Sequence, residues 1–225
     1  MRNPYRVLLI DDHPLIIDAY KRALEEVALK NNLKEFVVFT ADSCESAILK
    51  INKRSKEEVF DLVFLDLKLK PSKNNKILNG EDLGVLIRKK LKGTKIIVST
   101  SFSDSYLVSC VFKSINPEAF LIKSDLTKEV LIEAVKTVVF DLPFYSKTII
   151  NIFRKQAAND FVIDNIDRKI LHELSNGTKM NELPKLLPLS IAALERRKRI
   201  LKDVFNVEGK GDRSLLLLAQ EKGFI

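Results

Sequence analysis

Five short apolar runs, at 5–10, 36–40, 60–67, 95–100 and 119–123, are each followed by a segment of helical period and length. No other feature restricts the fold of this chain as strongly. Short continuous apolar runs suit strands covered on both faces, and a parallel crossover needs about a dozen residues, usually a helix. The expected domain is therefore α/β, a doubly wound five-stranded parallel sheet between two layers of helices. Helix starts agree. Pro14 opens the first helix, and the second begins at Asp42 as N-cap with Glu45 three residues on, or one residue later at Ser43. The third follows Asn79-Gly80 and the fifth follows Asp125.

Charged residues stand where these strands end. Val7-Leu8-Leu9-Ile10 closes on Asp11 and Asp12, and Leu62-Val63-Phe64-Leu65 closes on Asp66. Desolvating an unpaired carboxylate costs several kcal/mol or more, so carboxylates converging at one sheet edge imply a bound cation. In an open parallel sheet, ligands bind beyond the carboxyl ends of the strands. Thr100 ends the fourth run and Lys123 the fifth, so three carboxylates, a hydroxyl and an ammonium would meet in one crevice. Such a set suits Mg²⁺, which takes one or two carboxylates plus phosphate oxygens, with the lysine and hydroxyl left for further phosphoryl oxygens.

With these residues in place, residues 5 to 140 resemble the receiver domain of bacterial two-component response regulators, a flavodoxin-like, CheY-like fold. The resemblance implies that Asp66 accepts a phosphoryl group from a sensor histidine kinase. It implies that Asp11, Asp12 and Asp66 hold Mg²⁺ with the backbone carbonyl of Lys68, that Lys123 pairs with the phosphoryl group, and that Thr100 hydrogen-bonds it. Phe120 would be the aromatic switch residue. Such a protein is a phospho-acceptor switch rather than an enzyme, limited to its own phosphorylation and dephosphorylation. The chemistry is consistent, since Mg²⁺ and lysine neutralise charge in a transfer that needs mainly positioning.

Some residues carry blander readings. Asp61 at a strand start reads as a solvated turn residue, and His13, after the acid pair, as a partly exposed turn residue. Ser99 and Ser101 flank Thr100, so a slip of one residue would exchange the hydroxyl in the crevice. Ser124 follows Lys123 where many receivers have proline. The loop from Lys68 to Gly80 is longer than usual after a third strand and holds four lysines, Lys68, Lys70, Lys73 and Lys76. It reads as a solvated loop. A sharper possibility is that Lys68 or Lys70 approaches the phosphoryl group.

A length of 225 residues exceeds a typical single domain and favours two. The expected division is 1–143, a linker at 144–160 that begins after Asp141-Leu142-Pro143, and 161–225. No apolar run approaches the roughly 20 residues of a membrane span, and the N-terminus enters a strand pattern without a signal-peptide design, so the cytoplasm is the default and no membrane partner is expected. Net charge is +8. From Lys147 onward, 15 Lys+Arg against 10 Asp+Glu leave +5, and the first 146 residues carry only +3. The basic excess thus lies in the C-terminal third, where a nucleic-acid contact is to be sought.

That third reads as four short helices, at about 165–176, 178–187, 190–205 and 211–222. Asp164 caps the first, Gly177 ends it, and Leu187-Pro188-Leu189-Ser190 turns the second into the third, with Ser190 as N-cap. Two helices joined so tightly form a helix-turn-helix, whose second helix enters the major groove. From Ile163 to Phe224 the residues resemble the LuxR/NarL-type helix-turn-helix, with Asp167-Arg168-Lys169-Ile170-Leu171 as its first-helix motif and Asp in place of the more usual Glu. Pro184 and Glu195 depart from the pattern. The resemblance implies double-stranded DNA as partner, contacted by Arg196, Arg197, Lys198, Arg199 and Lys202, and a homodimer on two half-sites. The function expected is a response regulator that regulates transcription. Its alternative is a phosphotransfer or protein-interaction regulator whose C-terminal domain does not bind DNA.

Overall fold

In the computed structural model, which describes residues 4–30, 35–53, 59–72, 77–157 and 163–225, the apolar runs become β1 (Tyr5–Ile10), β2 (Phe36–Ala41), β3 (Leu62–Leu65), β4 (Lys95–Thr100) and β5 (Ala119–Ile122). A sixth strand, β6 (Phe144–Tyr145), completes a parallel sheet in the order β2-β1-β3-β4-β5-β6. Between the strands run α1 (Pro14–Lys30), α2 (Cys44–Asn52), α3 (Gly80–Lys90), α4 (Ser105–Ser114) and α5 (Lys128–Val139).

Alternating side chains of the sheet go to opposite layers. Val7, Leu9, Leu62, Phe64, Ile97, Ala119 and Leu121 pack with Ile17, Tyr20 and Leu24 of α1 and with Leu131, Val135 and Val138 of α5. Each buried Val, Leu, Ile or Phe among them contributes about 1.5–3 kcal/mol of transfer free energy. Leu65 faces the other layer: a Cβ on Gly84 of α3 would lie 3.0 Å from Leu65 Cδ2 and 2.3 Å from Ile115 Cδ1 after α4. Only glycine lets α3 approach so closely. Ser43 caps α2 by accepting from Ser46 N–H at 3.3 Å, and Asp42 accepts from the Ser46 hydroxyl at 2.8 Å, so both candidate caps take part.

The sixth strand corrects the five-stranded expectation. Phe144 N–H donates to the Glu118 carbonyl and Ser146 N–H to the Phe120 carbonyl, each at 3.0 Å. Two residues are too few to show a period of two, and Pro143 before them reads as a breaker. Asp125 fixes this edge. It accepts from the Ser146 hydroxyl at 2.7 Å and from Thr148 N–H and hydroxyl at 2.9 Å, which holds the first turn of α6 (Lys147–Ala157).

The chain divides into two compact units, the first formed by 1–103 and 110–149 and the second mainly by 150–225. In the second, α7 (Asn165–Ser175), α8 (Ile191–Val204) and α9 (Asp212–Glu221) enclose Ile170, Leu171, Leu194, Leu201, Phe205, Leu215 and Phe224. Asp164 caps α7, accepting from Asp167 N–H at 2.8 Å, and Ser190 caps α8, accepting from Ala193 N–H at 3.3 Å. Gly177, with φ of 87°, follows α7. The helix expected at 178–187 is not formed. Only a 3-10 turn, Leu183–Lys185, is present, with Pro184 at its start. Pro184 has no N–H for a helical bond, and Pro188 disfavours helical geometry at Leu187. Leu183 and Leu187 still reach the core. No helix among the described residues is long and apolar enough to cross a membrane.

Candidate functional site

The order of the sheet reverses at β1, which pairs with β2 on one side and β3 on the other. The crevice of such a sheet opens at that reversal. The ladders continue one residue past the strands: Asp11 N–H donates to the Ala41 carbonyl at 3.1 Å, and Asp66 N–H to the Ile10 carbonyl at 2.9 Å. Backbone pairing therefore sets Asp11 and Asp66 side by side.

Lys123, at the end of β5, reaches between them. Its Nζ lies 2.7 Å from Asp66 Oδ2 and 2.8 Å from Asp11 Oδ2. Both carboxylates are 1% exposed and the lysine side chain 12%. Burial works against the charged ammonium, but hydrogen bonds and attraction from Asp11 and Asp66 outweigh it, and the Lys123 pKa is raised. One ammonium against two buried carboxylates leaves a negative balance. Asp12, also within the group, adds to it.

The remaining expected residues take definite places. Lys68 N–H donates to Asp66 Oδ1 at 3.0 Å, while the Lys68 and Lys70 side chains are exposed. Lys73 and Lys76 lie outside the described residues. Ser72 pins the two ends of the loop, its N–H donating to the Ile77 carbonyl at 2.8 Å. Thr100 is buried at the end of β4, opposite Ile122, and its Oγ1 accepts from Phe102 N–H at 3.2 Å. Phe120 is fully buried in β5, its ring stacked on Phe112 at 5.4 Å between centroids. Asp61 accepts from Arg6 N–H at 2.6 Å and joins two strand starts.

Two residues of the site, His13 and Gly80, carry no functional signature of their own in the sequence. His13 Nδ1 lies 3.0 Å from Asp11 Oδ1 and 2.8 Å from Asp12 Oδ1. One ligand-capable atom from each of Asp11, Asp12, His13 and Asp66 falls within 4.8 Å of the others. The position of His13 directly after the acid pair was the available signal. In the sequence Gly80 signals only a helix start, yet a Cβ there would lie 2.0 Å from the Asp66 carbonyl oxygen and 2.6 Å from Leu67 Cα. Its N–H donates to the Leu67 carbonyl at 3.0 Å. Bare backbone at the start of α3 thus braces the turn that carries Asp66. Beside Asp11 and Asp12 lies a cavity of about 460 Å³, also lined by Lys21, Thr40, Asp42 and Lys50.

In the second unit, the basic residues of α8 divide. Arg197 Nη1 pairs with Asp164 at 2.7 Å and Asp167 at 2.8 Å. Those bonds raise its pKa. Lys198 and Lys202 both meet Asp212 of α9, at 2.9 and 2.8 Å, and the bond from Lys202 leads in lowering that carboxyl's pKa. Arg196 and Arg199 are exposed.

The sheet, its reversal point and the three buried charges define a receiver. The family model for the response regulator receiver domain matches residues 7–136. The chain belongs to that family. It is also similar, at 25% identity over 224 residues and 96% of both chains, to the nitrate/nitrite response regulator protein NarP of Escherichia coli strain K12. Among solved structures, RcsB from Salmonella enterica serovar Typhimurium, bound to promoter P1flhDC with phosphomimetic BeF3−, shares the fold with a TM-score of 0.64 and 19% identity, over 96% of this chain and 98% of that one. A structure of two RcsB dimers on two parallel DNAs does so with a TM-score of 0.62 and 20% identity, over 97% and 98%.

Proposed function

We propose that this chain is a response regulator of a two-component system, phosphorylated on Asp66 by a sensor histidine kinase, and that its C-terminal unit binds double-stranded DNA to regulate transcription. The observation that carries the first half is the placement of Lys123 between Asp11 and Asp66 in a crevice edged by backbone N–H groups. The functional division starts from a receiver at 1–143 that β6 and the first turn of α6 extend to residue 149, followed by a connection to 160 and an output domain at 161–225.

In the transfer, a carboxylate oxygen of Asp66 attacks phosphorus in line. The P–N bond of the donor phosphohistidine breaks as the new P–O bond forms, and the leaving imidazole keeps the electron pair and takes up a proton. Lys123 neutralises charge on the phosphoryl oxygens, and the Lys68 N–H and the Thr100 hydroxyl donate to them. The excess of buried negative charge and the spacing of the carboxylates fit a divalent cation. Asp11, Asp12, Asp66 and the backbone carbonyl of Lys68 would hold Mg²⁺, which when bound supplies further charge neutralisation. Phe120, stacked on Phe112, would carry the change from the site into the sheet's outer layer.

For the output, the exposed Arg196 and Arg199 are the α8 cations best placed for DNA, and Arg197, Lys198 and Lys202 hold the helices that present them. NarP is a response regulator by name, and RcsB binds DNA as dimers; by that likeness this chain would act as a homodimer on two half-sites. A gel-shift over genomic fragments, with and without a small phosphodonor, tests this reading. Salt-sensitive binding that changes with the phosphodonor is expected. Absence of salt-sensitive binding in both states would leave the phosphotransfer or protein-interaction alternative.

A further inference from the structure

We infer that the imidazole of His13 belongs to the ligand set of the cation site and gives it a preference for transition-metal ions over Mg²⁺. The inference rests on the reading of Asp11, Asp12 and Asp66 as a divalent-cation site.

The acid group divides its oxygens between two sides. Lys123 takes Asp11 Oδ2 and Asp66 Oδ2, while Lys68 N–H takes Asp66 Oδ1. Asp11 Oδ1 is turned toward His13, whose backbone N–H donates to it at 3.0 Å and whose Nδ1 lies at the same distance. Asp12 Oδ1 approaches the same ring nitrogen at 2.8 Å. An imidazole nitrogen therefore sits between two of the carboxylates expected to bind the ion.

The spacing suits one shared ion. Ligand bonds of about 2.0–2.2 Å put two ligands of the same ion no more than roughly 4.4 Å apart. The four candidate atoms already lie within 4.8 Å of one another, so a shift of a few tenths of an ångström closes the set. The His13 side chain is 60% exposed, which leaves room for that movement. Neutral imidazole can carry its one proton on Nε2, and Nδ1 then offers a lone pair in place of an N–H.

The donor set decides the preference. Carboxylate, carbonyl and water oxygens suit Mg²⁺, whereas imidazole nitrogen favours later first-row ions, which also bind mixed nitrogen and oxygen sites more tightly. An oxygen-only site also holds Co²⁺ somewhat more tightly than Mg²⁺, so the mark of His13 is the Co²⁺ affinity lost when the ring is removed. A site that includes His13 gains a nitrogen bond.

Calorimetric titration of the full chain with Co²⁺ and, separately, Mg²⁺ tests the inference, with native protein, His13→Ala, His13→Asn and Asp11→Asn. Native protein is expected to bind Co²⁺ at least about tenfold more tightly than Mg²⁺, and both His13 variants to lose roughly tenfold or more of Co²⁺ affinity while Mg²⁺ affinity changes less than about threefold. Asp11→Asn should abolish Co²⁺ binding, which ties the ion to this site rather than to the chain's second histidine, His172 of α7. Equal loss of both ions in His13→Ala, retained Co²⁺ affinity in His13→Asn, which keeps a donor for the carboxylates, or Co²⁺ binding that survives Asp11→Asn would each overturn the inference. Mg²⁺ binding with any of those results leaves the cation-site reading intact. Failure of native protein to take up either ion removes that reading as well.

Discussion

Lys123 Nζ meets Asp66 Oδ2 at 2.7 Å although 57 residues separate them in the chain, and the same nitrogen touches Asp11. Removing it leaves two carboxylates buried together. Breaking a buried pair by deleting one partner costs roughly 3–5 kcal/mol. Lys123→Ala is therefore expected to unfold at a clearly lower temperature in chelator, and to recover part of the loss in millimolar Mg²⁺, which would take over the charge compensation. Thermal unfolding followed by circular dichroism in both buffers measures this. Equal midpoints with and without Mg²⁺ would argue against a cation site at these carboxylates.

Gly80 is expected to tolerate no side chain. A methyl group there must displace the Asp66 carbonyl or the start of α3, both of them backbone. Overpacking of this kind costs about 1–3 kcal/mol, and a reacting group misplaced by an ångström loses on the order of a hundredfold in rate. Gly80→Ala should lower the unfolding midpoint and slow phosphorylation by a small-molecule donor. Unchanged values for both would contradict the bracing role.

Asp125 links β6 and the start of α6 to the rest of the receiver. Burial tends to raise its pKa, but the bonds from Ser146 and Thr148 outweigh that, and the folded value is lowered. A carboxyl with a depressed folded pKa contributes stability that is present above its unfolded value of about 3.9 and lost as pH falls through the folded value. Hydrogen exchange at Ser146 and Thr148 should therefore accelerate, relative to the sheet interior, only below about pH 4. Asp125→Asn should show fast exchange there already at neutral pH. Protection in the variant equal to that of the native chain would sink the assignment.

Arg197 and Arg199 should separate stability from binding. Arg197→Ala removes two ion pairs between α7 and α8 and is expected to cost about 1 kcal/mol, since the pair is partly solvated. Arg199→Ala should leave unfolding unchanged, weaken DNA binding and reduce the slope of log affinity against log salt by about one. Salt-titrated gel-shifts together with thermal melts distinguish them. Equal effects of both substitutions on both measurements would contradict the division.

The core of the receiver was legible because strand-end carboxylates in apolar runs have few physical explanations. Asp11, Asp66 and Lys123 meet as their positions at strand ends required. What stayed hidden depended on distant partners or on orientation. Arg196 to Arg199 pass around the helix circumference, and no periodicity reveals that Arg197 finds Asp164 and Asp167, or Lys198 finds Asp212. The His13 ring could have faced solvent or acids with the same sequence. β6 was too short for its alternation to register, and the segment 178–187 carries helical spacing of leucines that Pro184 and Pro188 prevent from becoming a helix.

The assignment of Asp66 as the reacting group is tested most directly by intact-mass spectrometry after incubation with a small-molecule phosphodonor and Mg²⁺. A single labile phosphoryl adduct is predicted on the native chain and none on Asp66→Asn, whose amide keeps the shape of the carboxylate. An adduct of equal yield on Asp66→Asn, or none on the native chain, would contradict the account.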